Sequence, residues 1–77
     1  MRVEILTPDQ TLFEGDAEHV FLPGSDGAMG LLDMHAAMIT TLRAGTLRLR
    51  TNEGEQSFEL MGGTVEVLEN KVLVLAA

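Results

Sequence analysis

The sequence predicts an all-β domain, a sandwich or barrel of short antiparallel strands. Three observations predict it. Apolar and polar residues alternate with a period of two: Leu47 and Leu49 alternate with Thr46, Arg48 and Arg50, and Phe58 and Leu60 with Ser57 and Glu59. Turn-forming residues interrupt the apolar stretches at short intervals, from Thr7-Pro8-Asp9-Gln10 to Glu69-Asn70-Lys71. The closing stretch Val72-Leu73-Val74-Leu75 is apolar at every position, the pattern of a strand covered on both faces. Six or more such strands in 77 residues fit one domain, 1–77, without linker, repeat or low-complexity run.

The elements follow in order. Glu4-Ile5-Leu6-Thr7 is a strand, ended by the Pro8 turn. Thr11-Leu12-Phe13-Glu14 is a second, closed by Gly15-Asp16. Glu18-His19-Val20-Phe21-Leu22 is a third, ended by Pro23-Gly24. The segment Leu22 to Ala36 then holds three glycines and a proline within eight residues, which predicts turns. Its expected tip, Ala28-Met29, is non-polar, and a non-polar tip on a charged domain is a candidate docking surface. Asp33 to Gly45 is ambiguous. Met34, Ala37, Met38 and Leu42 fall at helical spacing between a capping Asp33 and a terminating Gly45. Ile39-Thr40-Thr41 is stiff at χ1 and favours a strand. After it comes the alternating hairpin, with Arg48 and Arg50 expected across from Glu55 and Glu59. Gly62-Gly63 leads into Thr64-Val65-Glu66-Val67-Leu68, and Glu69-Asn70-Lys71 into the last strand.

Charge and composition exclude several functions. Twelve Asp and Glu against five Lys and Arg give a net charge of -7, which opposes phosphate backbones and anionic lipid. No Trp or Tyr and only three Phe leave no base-stacking platform, so no nucleic-acid partner is expected. The absence of cysteine removes disulfides and thiolate chemistry. No apolar run approaches the roughly 20 residues of a membrane-spanning helix, and Met1-Arg2-Val3-Glu4 lacks a signal-peptide layout, so no direct lipid anchor is expected.

Nearly the whole chain resembles the N-terminal β-sandwich domain of the epsilon subunit of F-type ATP synthases, called delta in mitochondria. The matching stretches are Leu6-Thr7-Pro8-Asp9 with Leu12-Phe13-Glu14-Gly15, and Pro23-Gly24-Ser25-Asp26-Gly27 with Gly30-Leu31-Leu32 and His35-Ala36. After these come Leu42-Arg43-Ala44-Gly45, Gly62-Gly63-Thr64-Val65-Glu66-Val67 and Asn70-Lys71-Val72-Leu73-Val74-Leu75-Ala76. The resemblance implies a flattened ten-stranded β-sandwich of short antiparallel strands, and it settles Met38 to Leu42 as a strand. It implies a non-catalytic rotor subunit in the central stalk, linking the gamma subunit to the polar loops of the membrane c-ring and helping couple ion transport to ATP synthesis. It implies a peripheral position at the cytoplasmic face of a bacterial inner membrane, and no cofactor. It assigns Ser25, Asp26, Gly27, Ala28 and Met29 to the ring contact, and Thr7, His35 and Thr40 to the gamma contact.

The chain departs from the family pattern in three places. Ala28 stands where a Glu is common, which makes the ring contact more apolar. Ala37 stands where Pro is common after His-Ala, which frees φ. The chain stops at Ala76-Ala77, where many members continue into a helical hairpin that inhibits ATP hydrolysis, so hairpin-based inhibition and ATP sensing are not expected.

Other chemistry is weaker. Two histidines without cysteine do not make a metal cluster, so His35 reads as an interface or loop-bracing residue and His19 as structural. Asp26 and Asp33 are better explained as turn or cap residues than as an acid–base pair. Pro23-Gly24-Ser25-Asp26-Gly27 lacks the lysine and following helix of a phosphate cradle. The alternative function is a lipoyl- or biotinyl-type carrier with Lys71 at a hairpin tip as the modified residue; its flanks, Asn70 and Val72, differ from those carriers.

Overall fold

The computed structural model describes all of residues 1–77. It consists of nine strands and no helix: β1 Arg2–Leu6, β2 Thr11–Asp16, β3 His19–Gly24, β4 Gly27–Leu32, β5 Met38–Leu42, β6 Gly45–Thr51, β7 Gly54–Leu60, β8 Gly63–Leu68 and β9 Lys71–Ala76. The count is nine where ten were expected, and one pairing is parallel. Val3 lies beside Val72 and Ile5 beside Val74, β1 running with β9. Parallel strands need a long connection. These two are the first and last strands, so the whole intervening chain supplies it.

The strands form one sheet in the order β2-β1-β9-β8-β5-β3-β6-β7, with β4 added on β3. The path folds over where β5 meets β3, which share a single register pair, Gly24 with Leu42. This makes two layers: β2, β1, β9, β8 and β5 in the first, and β4, β3, β6 and β7 in the second. Strand alternation then sends every second side chain between them. The first layer contributes mainly β-branched residues, Val3, Ile5, Val65, Val67, Val72 and Val74. The second contributes Val20, Leu22, Leu31, Leu47, Leu49 and Leu60, all buried in one cluster. On the side away from the fold line, Phe13 of β2 meets Phe58 of β7 edge to face, ring centroids 6.2 Å apart.

Several local expectations are corrected. Gly15-Asp16 continues β2 instead of closing it. Pro23 does not end β3; it pairs with Ala28, and its carbonyl accepts from the Arg43 amide at 2.9 Å. The segment expected as a loop is strand β4, so the turn is only Ser25-Asp26, and Ala28 and Met29 lie beyond its tip. Gly27 makes this possible with φ of +139°, a region that glycine favours. Met38–Leu42 forms β5, against the helical spacing, because its backbone pairs along the full length of β8. In the hairpin, Glu55 lies opposite Arg50 and approaches both Arg50 and Arg48 (4.0 and 3.9 Å). Glu59 instead faces Thr46 and accepts its hydroxyl. The last strand is covered on one face only: Val72 and Val74 are buried, whereas Leu75 is 49% exposed.

Gly63 shows a different constraint. A Cβ there would lie 2.1 Å from the Leu75 carbonyl oxygen, at φ of +138°, so β8 and β9 approach closely only because the residue is glycine.

Strand direction sorts the turns into two ends. At one lie Thr7–Gln10, Ser25–Asp26, Arg43–Ala44 and Met61–Gly62. At the other lie Met1, Ala17–Glu18, Asp33–Ala37, Asn52–Glu53 and Glu69–Asn70.

Candidate functional site

The Ser25 turn is stapled to the neighbouring strand. Its amide donates to the Thr41 carbonyl at 3.0 Å, and the Thr41 hydroxyl donates to Ser25 Oγ at 2.7 Å. Ser25, Asp26 and Ala28 are exposed on this fixed frame, and Gly27 is half-buried. Met29 behaves differently. It lies opposite Leu22 and packs against the core, so its side chain braces the turn from inside. Sequence reasoning placed it outermost because it took the stretch for a loop; strand alternation separates it from Ala28.

Thr7, His35 and Thr40 do not converge. Thr7 Oγ1 accepts from the Gln10 and Asp9 amides at 3.1 and 3.3 Å, which holds the turn after β1. His35 lies at the opposite end, exposed, with Nδ1 donating to the Ala36 carbonyl at 2.8 Å. Between them in height, Thr40 sits half-buried in β5 opposite Val65. The five residues of β5 alone span about 17 Å at ~3.3 Å per residue.

Two features escaped sequence reasoning. The first is the outer face of the first layer. Ile39, Leu68 and Leu75 are 73%, 52% and 49% exposed there, and Leu73 is half-buried beside them. Register puts Ile39 beside Glu66 and Glu66 beside Leu73. The unbroken apolar run of β9 was the signal, and its meaning is an uncovered outer face. The second is an ionic latch at the Met1 end. The Met1 ammonium donates to Asp33 Oδ1 at 2.6 Å and to the Ala17 carbonyl at 2.9 Å. The hydrogen bond from that ammonium, and its charge, hold the Asp33 carboxyl below the usual aspartate range. Asn70 joins in, its Oδ1 accepting from the Met34 amide at 2.7 Å.

Asn70 and Glu69 form the tip of the β8–β9 hairpin, with φ of +60° and +51°. Lys71 is therefore not at the tip. It belongs to β9, in register with Leu68 on one side and Arg2 on the other.

Beside the Ser25 turn, on the outer face of the second layer, lies a groove of about 540 Å³. Phe21, Pro23, Ala28, Arg43 and Arg48 are among its lining residues. The Arg48 guanidinium lies 4.6 Å from the Phe21 ring centroid, and the same ring is stacked with His19, centroids 4.0 Å apart.

Comparison with known proteins accounts for this architecture. The model of the ATP synthase delta/epsilon chain β-sandwich domain matches residues 1–77. The ATP synthase epsilon chain of Synechococcus sp. (strain CC9311) is 43% identical over 75 residues, covering 97% of this chain and 56% of that relative. The chain thus spans a little over half of the length of the relative it matches. Among solved structures, a chain of the Euglena gracilis mitochondrial ATP synthase (OSCP/F1/c-ring) superposes with a TM-score of 0.89 at 18% identity, covering 96% of this chain and 48% of that one. A chain of the Tetrahymena thermophila mitochondrial ATP synthase central stalk and c-ring gives 0.84 at 18% identity, covering 97% and 61%. At such identity the two superpositions establish a shared fold. With the family model matched from end to end and a relative above two-fifths identical, the chain belongs to the ATP synthase delta/epsilon family, as its β-sandwich domain.

Proposed function

We propose that this chain is a non-catalytic rotor element of the central stalk of a rotary ATP synthase, joining the gamma subunit to the polar loops of the c-ring and helping couple ion translocation to ATP synthesis. The observation that carries the reading is the family match over residues 1–77. Support comes from a structural neighbour described as part of a central stalk and c-ring. The domain acts mechanically: it is bound on two sides and must not yield between them. Ser25, Asp26, Gly27 and Ala28 present the ring contact from a turn hydrogen-bonded to β5, with Met29 behind them. The gamma contact falls on the outer face of the first layer, where Ile39 and Leu68 are exposed; Thr40, in register with buried Val65, backs that contact from the other face of β5, and His35 precedes the strand. Thr7 extends the contact toward the Ser25 end. Such a rotor part would sit peripherally at the cytoplasmic face of a bacterial inner membrane.

The test is titration of the chain against the gamma subunit and against the purified c-ring of the same organism. Saturable 1:1 binding to gamma tighter than about 1 μM, roughly -8 kcal/mol, is expected. An Ala28→Lys variant is expected to bind gamma normally and the ring at least tenfold more weakly, since Ala28 is exposed and a cation there, where an acidic residue is common in the family, meets the ring directly. Absence of binding to a folded gamma and to the ring overturns the reading. Intact mass of the natively expressed chain then examines Lys71 for a carrier modification.

A further inference from the structure

We infer that the groove on the second layer is a receptor for a carboxylate-bearing apolar segment of a protein partner, gripped by Arg43 and Arg48. The inference deepens the stalk reading by giving the chemistry of the segment that meets the Ser25 turn, and it rests on that reading only for the partner's identity.

Charge placement carries the argument. The chain has twelve acidic and five basic side chains, yet this groove is lined by two arginines and by no carboxylate. Of the acidic residues nearby, Glu59 takes the Thr46 hydroxyl, Glu55 lies by Arg48 and Arg50 at 3.9 and 4.0 Å, and Asp26 belongs to the turn next to the groove. Arg43 enters no ion pair. Arg48 approaches Glu55 only at 3.9 Å, an exposed pair beyond hydrogen-bond length that leaves donors for a partner, and its guanidinium lies over the Phe21 ring. A guanidinium over an aromatic ring suits two-point recognition of a carboxylate. Phe21, Pro23 and Ala28 add apolar surface to the same groove. An anion alone leaves that surface wet; an acidic side chain flanked by aliphatic ones covers it.

A lipid headgroup shares the anionic chemistry but not the context. A chain of net charge -7 is repelled by an anionic membrane as a whole, whereas a single carboxylate on a protein segment meets only the local field.

The experiment is a two-dimensional ¹⁵N NMR titration of the chain with acetyl-Leu-Glu-Leu-amide and, in parallel, acetyl-Leu-Gln-Leu-amide. The expected result is saturable shifts confined to Phe21–Met29 and Arg43–Arg48, with the glutamine peptide at least tenfold weaker. Arg43→Gln, an exposed and unpaired position, tests the grip without disturbing the Phe21 stack; Arg48→Gln and Ala28→Glu follow. Each is expected to weaken the glutamate peptide severalfold or more. Equal binding of the two peptides, or shifts centred on Arg2 and Lys71, overturns the inference. So does binding to vesicles of phosphatidylglycerol that the arginine substitutions abolish while the peptide leaves the groove amides unmoved. The c-ring titration separates the two readings. Peptide binding without ring or gamma binding keeps the receptor and removes the stalk assignment. Ring binding that Arg43→Gln leaves unchanged, with no peptide response, removes the receptor and keeps the stalk assignment.

Discussion

The two layers share one interior and present opposite exteriors. Outside the first layer stand Ile39, Leu68, Leu73 and Leu75, aliphatic and partly exposed. Outside the second stand His19 and Phe21, stacked, with Arg48 over Phe21 and Arg50 and Glu55 alongside. Inside, both layers offer the same kind of surface, a continuous set of buried Val, Ile and Leu. The interior sets whether the domain folds, and the exteriors set what it meets. The proposed role, bound on two sides by different partners, would use such a division, because a common interior transmits force between surfaces that recognise different chemistry.

Truncating a side chain in the shared interior should weaken both exteriors at once. Leu49 is fully buried and lies opposite Gln56 of β7 and Val20 of β3. Leu49→Ala is expected to cost about 2–5 kcal/mol in urea denaturation. A 77-residue domain has modest stability, so binding on both exteriors should fall together in proportion to the folded fraction. Loss of one partner alone would show that the layers are energetically separate. Ile39→Asp is the converse change. At 73% exposure it should leave the unfolding midpoint within about 0.5 kcal/mol of the parent while lowering gamma affinity at least tenfold, about 1.4 kcal/mol. Unchanged gamma titration in this variant removes the gamma contact from the first-layer exterior.

The sequence disclosed the interior more fully than the exteriors, for physical reasons. Alternation at Leu47, Leu49, Phe58 and Leu60 is a local signal, and burial obeys it. Positive φ at Asn70 is local too, and the turn expected there is present. The sequence around Met29 looks like a loop because of its glycines, whereas the side chain's burial depends on its pairing with Leu22 of β3 rather than on its neighbours in sequence. Leu75 is 49% exposed although its run is apolar throughout, because an apolar run does not tell a covering layer from open solvent. Thr7, His35 and Thr40 came from family resemblance alone, and register places them at separate heights. The groove that holds Arg43 and Arg48 joins three strands, β3, β4 and β6, and a turn, so no single stretch of sequence announces it.

A smaller comparison lies between the two ends. The Ser25 end is held by backbone and hydroxyl bonds, whereas the Met1 end is held by ions and by the amide of Asn70. Asn70 does two things there: it adopts φ of +60°, and it accepts from the Met34 amide. Asn70→Ala loses both, and about 1 kcal/mol of stability is expected to go with the left-handed conformation alone. Asn70→Gly keeps the conformation and removes only the side chain. Equal stability losses in the two variants would assign the whole effect to the Met34 contact, and no loss in Asn70→Gly would assign it to the turn.

The smallest effect is the one that titrates. Asp33 is exposed, and its carboxyl is held below the ordinary aspartate value of about 3.9 by the hydrogen bond and charge of the Met1 ammonium. A depressed folded-state value fixes the sign: the unfolded chain takes up the proton first. The contribution is therefore complete above about pH 5, begins to fade as pH falls through 3.9, and is gone below the folded value. Comparing the parent with Asp33→Asn isolates it, since other carboxylates are common to both. The stability difference between the two should be flat from neutrality to about pH 5 and shrink on further acidification, and salt should reduce it, because an exposed pair is screened. Binding to gamma and to the ring should not change, since neither exterior contains Asp33. Parallel pH profiles for the two proteins would mean that the ammonium and the carboxylate are neighbours without consequence, and the Met1 end would then be held, like the Ser25 end, by its backbone.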